Sequence, residues 1–359
     1  MSFFSTKEKP FLIAGPCSAE TREQVMSTAA AMQGLPVQLF RAGVWKPRTR
    51  PGSFEGKGTE SLTWLEEVKA TYGFKIAIEV AEPSHVEAAL LHHIDVLWIG
   101  ARTVVNPFQV QRIADSLKGI KIPIMVKNPV NPDVDLWQGA IERIQTIGIT
   151  EIAAIHRGFS TYKTSNSYRN QPNWIIPVEL KRRLPDVPVF CDPSHISGQA
   201  SRVAQVAQKA MNIGFEGLMI ETHIQPKEAW SDAAQQITPA ELHQLLSNLN
   251  IRNEYPIGEN GLLELEYLRQ TVDNIDAEII DLIAKRMEIS SQMGEIKRQN
   301  NITAYQPERW REILETRGEQ AKKLSLSSNY ITSIYELIHN ESIKKQLEIP
   351  QVDNKNLKK

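Results

Sequence analysis

A chain of 359 residues, 41% hydrophobic and 23% charged, has room for a barrel of about 250 residues and a smaller second domain. Its net charge of −1 argues against a general binder of nucleic acid or acidic membranes. Two cysteines, Cys17 and Cys191, are too few for a disulfide framework, and no run of about 18 apolar residues offers a membrane span, so a reducing cytoplasm is the expected location.

In chain order, short apolar runs predict strands at Phe11–Cys17, Gln38–Val44, Lys75–Val80, Val96–Ala101, Ile122–Lys127, Glu151–His156, Pro188–Cys191 and Gly217–Thr222. The runs are continuous rather than alternating, which is the pattern of strands covered on both faces. Amphipathic stretches between them, such as Asp135–Gly148 and Gln199–Gly214, read as helices closing on glycine. This rhythm predicts a (β/α)8 barrel over residues 1–250, with its active site at the carboxyl ends of the strands. Each run stops at residues able to hold a metal or a phosphate: Cys17, Arg41 to Lys46, Glu79, Arg102, Lys127, Arg157, Asp192 to His195, and Glu221 to His223. The cations imply a polyanionic substrate, and the thiol, imidazole and carboxylate set implies a metal beside it.

After a helix at Pro239–Leu249 the character changes. Residues 251–261 carry polar, Gly and Pro punctuation and read as a linker. Three helices follow, at about 262–300, 306–324 and 328–347, with no strand signal. They predict a small all-α domain over 262–348, and the Lys/Asn-rich residues 349–359 are expected to fray. In the first helix Leu265, Leu268, Val272, Ile275, Ile279, Leu282, Arg286, Ile289, Met293 and Ile296 keep a strict 3,4 spacing, which predicts helix-on-helix packing and dimerisation. Arg286 is the one charge on that seam. It either pairs with a carboxylate of its own fold or marks an anion site inside a helical bundle.

Cys17 alone would most simply be a small buried side chain. Asp192-Pro193-Ser194-His195, Glu221-Thr222-His223 and Ser231-Asp232 change that weighing, because strands one, seven and eight become neighbours once a barrel closes. The resulting S, N, O, O set suits several first-row divalent metals, and on spacing alone either His195 or His223 can supply the nitrogen. The loop from Phe40 to Gly58 is basic, with Lys46, Arg48 and Arg50 among Gly and Pro bends. A solvated loop is the plain reading; charges of nearly one sign on the catalytic face favour a phosphate site.

Gly15-Pro16-Cys17-Ser18, Lys46-Pro47-Arg48-Thr49, Ile99-Gly100-Ala101-Arg102, Asp192-Pro193-Ser194-His195, and Glu221-Thr222-His223 followed by Ser231-Asp232-Ala233-Ala234-Gln235 form a specific set. On these motifs, residues 10–248 resemble the metal-dependent 3-deoxy-D-arabino-heptulosonate 7-phosphate (DAHP) synthases that lack long N-terminal additions. The resemblance implies Cys17, His195, Glu221 and Asp232 as ligands of one divalent ion (Mn, Fe, Co, Zn or similar). It implies Arg41, Lys46, Arg102, Lys127 and Arg157 around phosphoenolpyruvate, with Lys46 and Lys127 catalytic, and Arg48 and Thr49 on erythrose 4-phosphate. Three positions depart from the family pattern: Arg50 stands where Ser is usual, His156 where Glu is common, and Asn128-Pro129 where Arg-Gly is frequent.

Residues 262–348 resemble the all-helical chorismate mutases. The resemblance implies that Arg269, Arg286, Lys297, Arg309, Ser342 and Gln346 bind chorismate, that Lys297 and Gln346 act on its ether oxygen, and that no cofactor takes part. Gln306 and Trp310 stand where that family usually has acidic residues. Helix geometry adds that Arg286 and Lys297 share one face about 16 Å apart along the axis, whereas Arg269 lies about 25 Å from Arg286. On geometry Arg269 comes from a partner helix or serves another site; the resemblance implies a homodimer in which it serves the partner chain's pocket. The whole chain is expected to be a bifunctional enzyme of aromatic amino-acid biosynthesis; the rival reading makes the helical domain a dimerisation and sensing module only. With ten residues before the first strand, control is expected through the mutase pocket, by prephenate or chorismate.

Overall fold

The computed structural model describes residues 3–5, 10–47, 52–161, 168–252 and 259–348. Its contacts divide the chain into two compact units, Met1–Glu254 and Tyr255–Lys359.

In the first unit the strands are β1 Phe11–Gly15, β2 Leu39–Ala42, β3 Lys75–Val80, β4 Val96–Ile99, β5 Ile124–Lys127, β6 Ile152–His156, β7 Val189–Cys191 and β8 Gly217–Glu221. Each pairs in parallel with the next, and β8 closes on β1 from Phe11–Gly217 to Gly15–Glu221. All eight predicted strands are present. Several are shorter at the carboxyl end than their apolar runs, because the chain leaves the ladder there: Ala101 already begins a one-turn helix, and Gly43 donates to the Cys17 carbonyl. Helices cover the outside, among them Arg22–Ala31, Thr59–Tyr72, Val134–Thr146, Ala200–Ile213 and Pro239–Asn248. Local chemistry sets their ends. Thr238 and Glu241 form a reciprocal capping box, Asp133 accepts from Leu136 N, and Gly73 and Gly214 take left-handed C-caps.

Side chains alternate across the barrel wall. Leu12, Ala14, Phe40, Ile76 and Ile78 join the apolar faces of the helices, while Phe11, Ile13, Leu39, Val96, Trp98 and Met219 form a separate inner cluster. Phe4 belongs to this inner cluster, its ring 5.8 Å from those of Phe11 and Phe190. Trp98 belongs to it too, under the cationic side chains of the carboxyl face: Arg41 Cζ lies 5.0 Å and Lys127 Nζ 5.8 Å from its ring.

The second unit contains the helices Glu259–Gln299, Pro307–Lys323 and Ser328–Leu347, in the predicted order; the first starts three residues earlier than the expected 262. Both of the first two pack on the third. Leu268, Val272, Ile275 and Ile279 on the long helix remain 48–54% exposed within the single chain. Residues 253–258 of the expected linker and the expected tail 349–359 lie outside the described residues.

His156, at the end of β6, is fully buried among Trp137, Phe159, Trp174 and Phe215. Burial, then the neighbouring Arg157 guanidinium, pushes its pKa from 6.5 down to about 3, against a weaker pull from the Pro172 carbonyl. The folded protein therefore stays unprotonated here where the unfolded chain takes up a proton, so this group removes stability as pH falls from 6.5 towards 3. In His156→Phe, urea midpoints followed by tryptophan fluorescence should hold up better in acid, the gap to wild type growing by up to about 1.4 kcal/mol per pH unit. Identical pH dependence in the two proteins would refute the assignment.

Candidate functional site

β1, β7 and β8 bring together residues far apart in sequence. The Sγ of Cys17 and one carboxylate oxygen each of Glu221 and Asp232 lie within 4.8 Å of one another, on side chains of which the first two are fully buried. Among the described residues Glu221 Oε1 accepts no well-directed hydrogen bond, although Arg41 Nη2 lies 3.2 Å away and His195 Nε2 3.8 Å away. A buried carboxylate oxygen facing a thiol and a second carboxylate fits a cation, so the donor set suits a thiophilic divalent metal.

The two candidate histidines differ in what their Nδ1 atoms do. His195 Nδ1 is 2.8 Å from Asp192 Oδ2, too far off axis for an ideal hydrogen bond yet close enough to favour a proton there, which leaves Nε2 with its lone pair towards Glu221. His223 Nδ1 accepts from Gln225 N at 2.9 Å, so its Nε2 carries the proton. That nitrogen cannot ligate, and it lies 3.9 Å from Glu20 Oε2, in a separate polar pocket. Sequence spacing left the two open; the hydrogen bonding favours His195.

Cationic side chains surround this cluster. Arg41, on β2 and 1% exposed, donates from Nη2 to the Cys17 carbonyl, but its Nε and Nη1 are buried without a partner among the described residues. Lys46 Nζ donates to Cys17 Sγ at 3.0 Å and to the Cys17 carbonyl at 2.9 Å. Lys127 pairs with Asp192 at 2.7 Å. Arg157 Nη1 donates to Asn170 Oδ1 at 2.8 Å, and its backbone N–H to Asn128 Oδ1 at 2.7 Å. Arg102 is exposed on the one-turn helix after β4. Arg48 and Thr49 lie outside the described residues; among those that flank them, Lys46 N donates to Glu55 O and Gly58 N to Val44 O.

The electrostatics follow from burying so many charges together. Burial, then Glu221, pushes the Cys17 thiol up to about 12, with Lys46 opposing. Burial also works against Lys46, but Cys17 and Glu221 outweigh it and hold the ammonium above its usual range. Burial would raise the Asp232 and Glu221 carboxyls; His195 and the cations beside them (Arg169 for Asp232, Arg41 for Glu221) hold both below the usual carboxylate range. Arg157 falls to about 10 by burial and so keeps its charge near neutral pH.

Several polar side chains at this site lay outside the expected set. Gln236 accepts from Cys17 N and donates to Ser231 O, both at 2.9 Å. Asn170 grips Arg157 and also donates to the His195 carbonyl at 2.7 Å. Amide residues near a predicted strand end have no distinguishing pattern; only the tail of the Ser231–Gln235 motif pointed towards this segment.

In the helical unit, Arg286 donates to Ser342 Oγ, and Lys297 Nζ donates to Gln346 Oε1 at 2.9 Å and to Ala304 O at 2.6 Å. These four residues thus meet across the first and third helices. The approach is close: a Cβ on Gly294 would lie 2.5 Å from the Gln346 carbonyl oxygen, and Ser290 and Ser342 are buried. Arg309 pairs with Glu312 on its own helix, and Arg269 with Glu266, so neither joins the cluster within the chain. Trp310 stacks on His339 with ring centroids 4.0 Å apart, while Gln306 stands at the N-cap of the second helix.

Comparison with known proteins bears on both units. The sequence profile of the DAHP synthetase I family matches residues 4–254, and that of chorismate mutase type II matches residues 268–347. The chain is 31% identical over 226 residues to a phospho-2-dehydro-3-deoxyheptonate aldolase of Thermotoga maritima, a match spanning 63% of this chain and 64% of the relative. A 2-dehydro-3-deoxyphosphooctonate aldolase of Wolinella succinogenes is 29% identical over 66% of this chain and 98% of its own length. Among solved structures, the phospho-2-dehydro-3-deoxyheptonate aldolase (DAHP synthase) of Thermotoga maritima superposes with a TM-score of 0.60 at 28% identity, covering 67% of this chain and 68% of the other. The closed barrel, the motifs at its carboxyl face and a profile match over residues 4–254 converge on one conclusion: the chain belongs to the DAHP synthetase I family, and its residues 268–347, later in the sequence, are similar to chorismate mutase type II.

Proposed function

We propose that the barrel condenses phosphoenolpyruvate with erythrose 4-phosphate and water to give DAHP and phosphate. The observation that carries this reading is the buried Cys17, Glu221 and Asp232 cluster beside Arg41, whose Nε and Nη1 donors have no partner among the described residues. Cys17, His195, Glu221 and Asp232 would hold one divalent ion, which supplies Lewis acidity towards the sugar aldehyde. Arg41, Lys127 and Arg157, with Arg102 at the rim, grip the carboxylate and phosphate of phosphoenolpyruvate against the repulsion of a second phosphorylated reactant. That is catalysis by positioning and by charge placed in advance. Lys46 keeps its ammonium beside Cys17 and the entering aldehyde. Arg48 and Thr49, next to it in sequence, take the erythrose phosphate; the sequence Lys46-Pro47-Arg48-Thr49 supports this substrate over the sugar of the octulosonate aldolases. Chelation should abolish the condensation and leave chorismate rearrangement intact. Cys17→Ala should lower synthase turnover by more than the ~10–100-fold typical of residues that merely support a metal ligand. Full synthase activity in chelated Cys17→Ala protein would sink the metal reading.

The helical unit is proposed to rearrange chorismate to prephenate, a reaction without nucleophile, proton transfer or metal. Arg286 would bind a substrate carboxylate and Lys297 with Gln346 the developing charge on the ether oxygen. The direct contact between Lys297 and Gln346 supports an enzyme over a module used only for dimerisation and sensing. Arg269 sits about 25 Å along the same helix from Arg286, and the half-exposed seam between them supports a homodimer in which a partner chain supplies it. Arg269→Ala and Arg286→Ala should each abolish mutase activity, and mixing the two should restore it in one of the two pockets of every mixed dimer. No recovery after verified subunit exchange would refute action across the interface.

Prephenate or chorismate bound at Arg286 and Lys297 is proposed to inhibit the synthase. It need only bind one state of the enzyme better than another, by about 1–3 kcal/mol. Prephenate should slow the synthase of wild type and not that of Arg286→Ala; equal inhibition of both, or of neither, would rule this out.

A further inference from the structure

We infer that Gln235 is a positioning residue that makes each of the two carboxylates of the metal cluster present a single oxygen. It is 1% exposed and ends the turn Ala233–Gln235, directly after Asp232, which sits at φ +47°. Gln235 Nε2 donates to Glu221 Oε2 at 2.6 Å, and Gln235 Oε1 accepts from Arg169 Nη1 at 2.6 Å. The same Arg169 Nη1 lies 3.1 Å from Asp232 Oδ1. One amide thus joins both carboxylates in a relay. Each acid has one oxygen held away from the cluster: Oε2 of Glu221 by the amide, Oδ1 of Asp232 by the guanidinium. The other oxygen faces inward, Glu221 Oε1 without a hydrogen bond from any described residue and Asp232 Oδ2 at 3.6 Å from Cys17 Sγ.

The chemistry of this position selects glutamine. An ionised carboxylate only accepts hydrogen bonds and a guanidinium only donates, so the amide has one allowed orientation; flipped, it would oppose acceptor to acceptor and donor to donor. Glutamate here would repel Glu221, and lysine would repel Arg169. Holding Glu221 Oε2 restricts that side chain to one-oxygen coordination, which fixes the number of positions left for substrate.

The inference rests on the metal reading of Cys17, Glu221 and Asp232, and cobalt(II) titration of the full chain separates the two. Wild type should show the thiolate-to-cobalt absorption of Cys17. Gln235→Met, similar in shape, should keep that band, bind cobalt about 10–100-fold more weakly, and alter the visible ligand-field bands as Glu221 is freed to use both oxygens. Arg169→Met breaks only the outer half of the relay and lies on an exposed side chain, so it tests the idea even if Gln235→Met fails to fold. It should weaken cobalt binding while leaving the melting temperature of the metal-free protein in place. The double variant should lose less than the product of the single losses, as groups in one network do. Wild-type cobalt affinity and unchanged ligand-field bands in Gln235→Met, wild-type affinity in Arg169→Met, or multiplicative losses in the double variant would each overturn the relay. No thiolate band in wild type would instead overturn the metal reading.

Discussion

The carboxyl face of the barrel is governed by one constraint: charge removed from water has to be matched within reach. Arg41 and Glu221 are at most 1% exposed and lie 3.2 Å apart, and Lys127 and Asp192 pair at 2.7 Å behind them. Breaking such a pair from one side leaves an uncompensated buried ion, which typically costs about 3–5 kcal/mol. Lengths and ends of the strands serve this matching. The apolar runs stop where the ladder stops, and the next residue turns into a cleft already rich in opposite charge. Trp98 closes the arrangement from below, its ring under two cations and its Nε1 donating to Glu79 Oε2 at 3.1 Å. Gly100 makes room for that carboxylate, since a Cβ there would lie 1.9 Å from Glu79 Oε1.

Much of this could be read from the sequence because its signal is periodic. Eight continuous apolar runs can be buried on both faces only in a parallel sheet wrapped by helices, so the barrel and the place of its site came from spacing alone. The family motifs then pointed to residues that the fold does assemble: Cys17, Glu221 and Asp232 within one cluster, with His195, Arg41 and Lys46 against it. What stayed hidden was the amide framework. Asn128, Asn170, Gln235 and Gln236 act by aiming a single N–H or C=O, and no period marks a side chain whose role depends on a neighbour far away in sequence. The choice between His195 and His223 was hidden for the same reason, since it turns on which atom Nδ1 faces.

The helical unit inverts the balance. Its long apolar seam is visible in sequence, yet within one chain that seam meets solvent. The contact that does shape the single chain rests on small side chains: Gly294 lies against Gln346, and Ser290 and Ser342 are buried. Small residues carry little weight in a hydrophobic pattern. Here they permit the helix approach that lets Lys297 reach Gln346 and Arg286 reach Ser342.

The seam between β1 and β8 also sets a timetable. Cys17 and Asp232 are 215 positions apart, and Thr222 N reaches back to Gly15 O at 2.8 Å to bring their strands together. A ribosome makes the thiol among the first residues of the barrel and its carboxylate partners among the last. Until β8 has docked, Cys17 stands beside an open sheet edge with neither acid near it, and contacts spanning that much chain form slowly. The cluster is therefore a certificate of completion: a nascent or partly opened barrel can display seven strands and most of its cations and still have no assembled site.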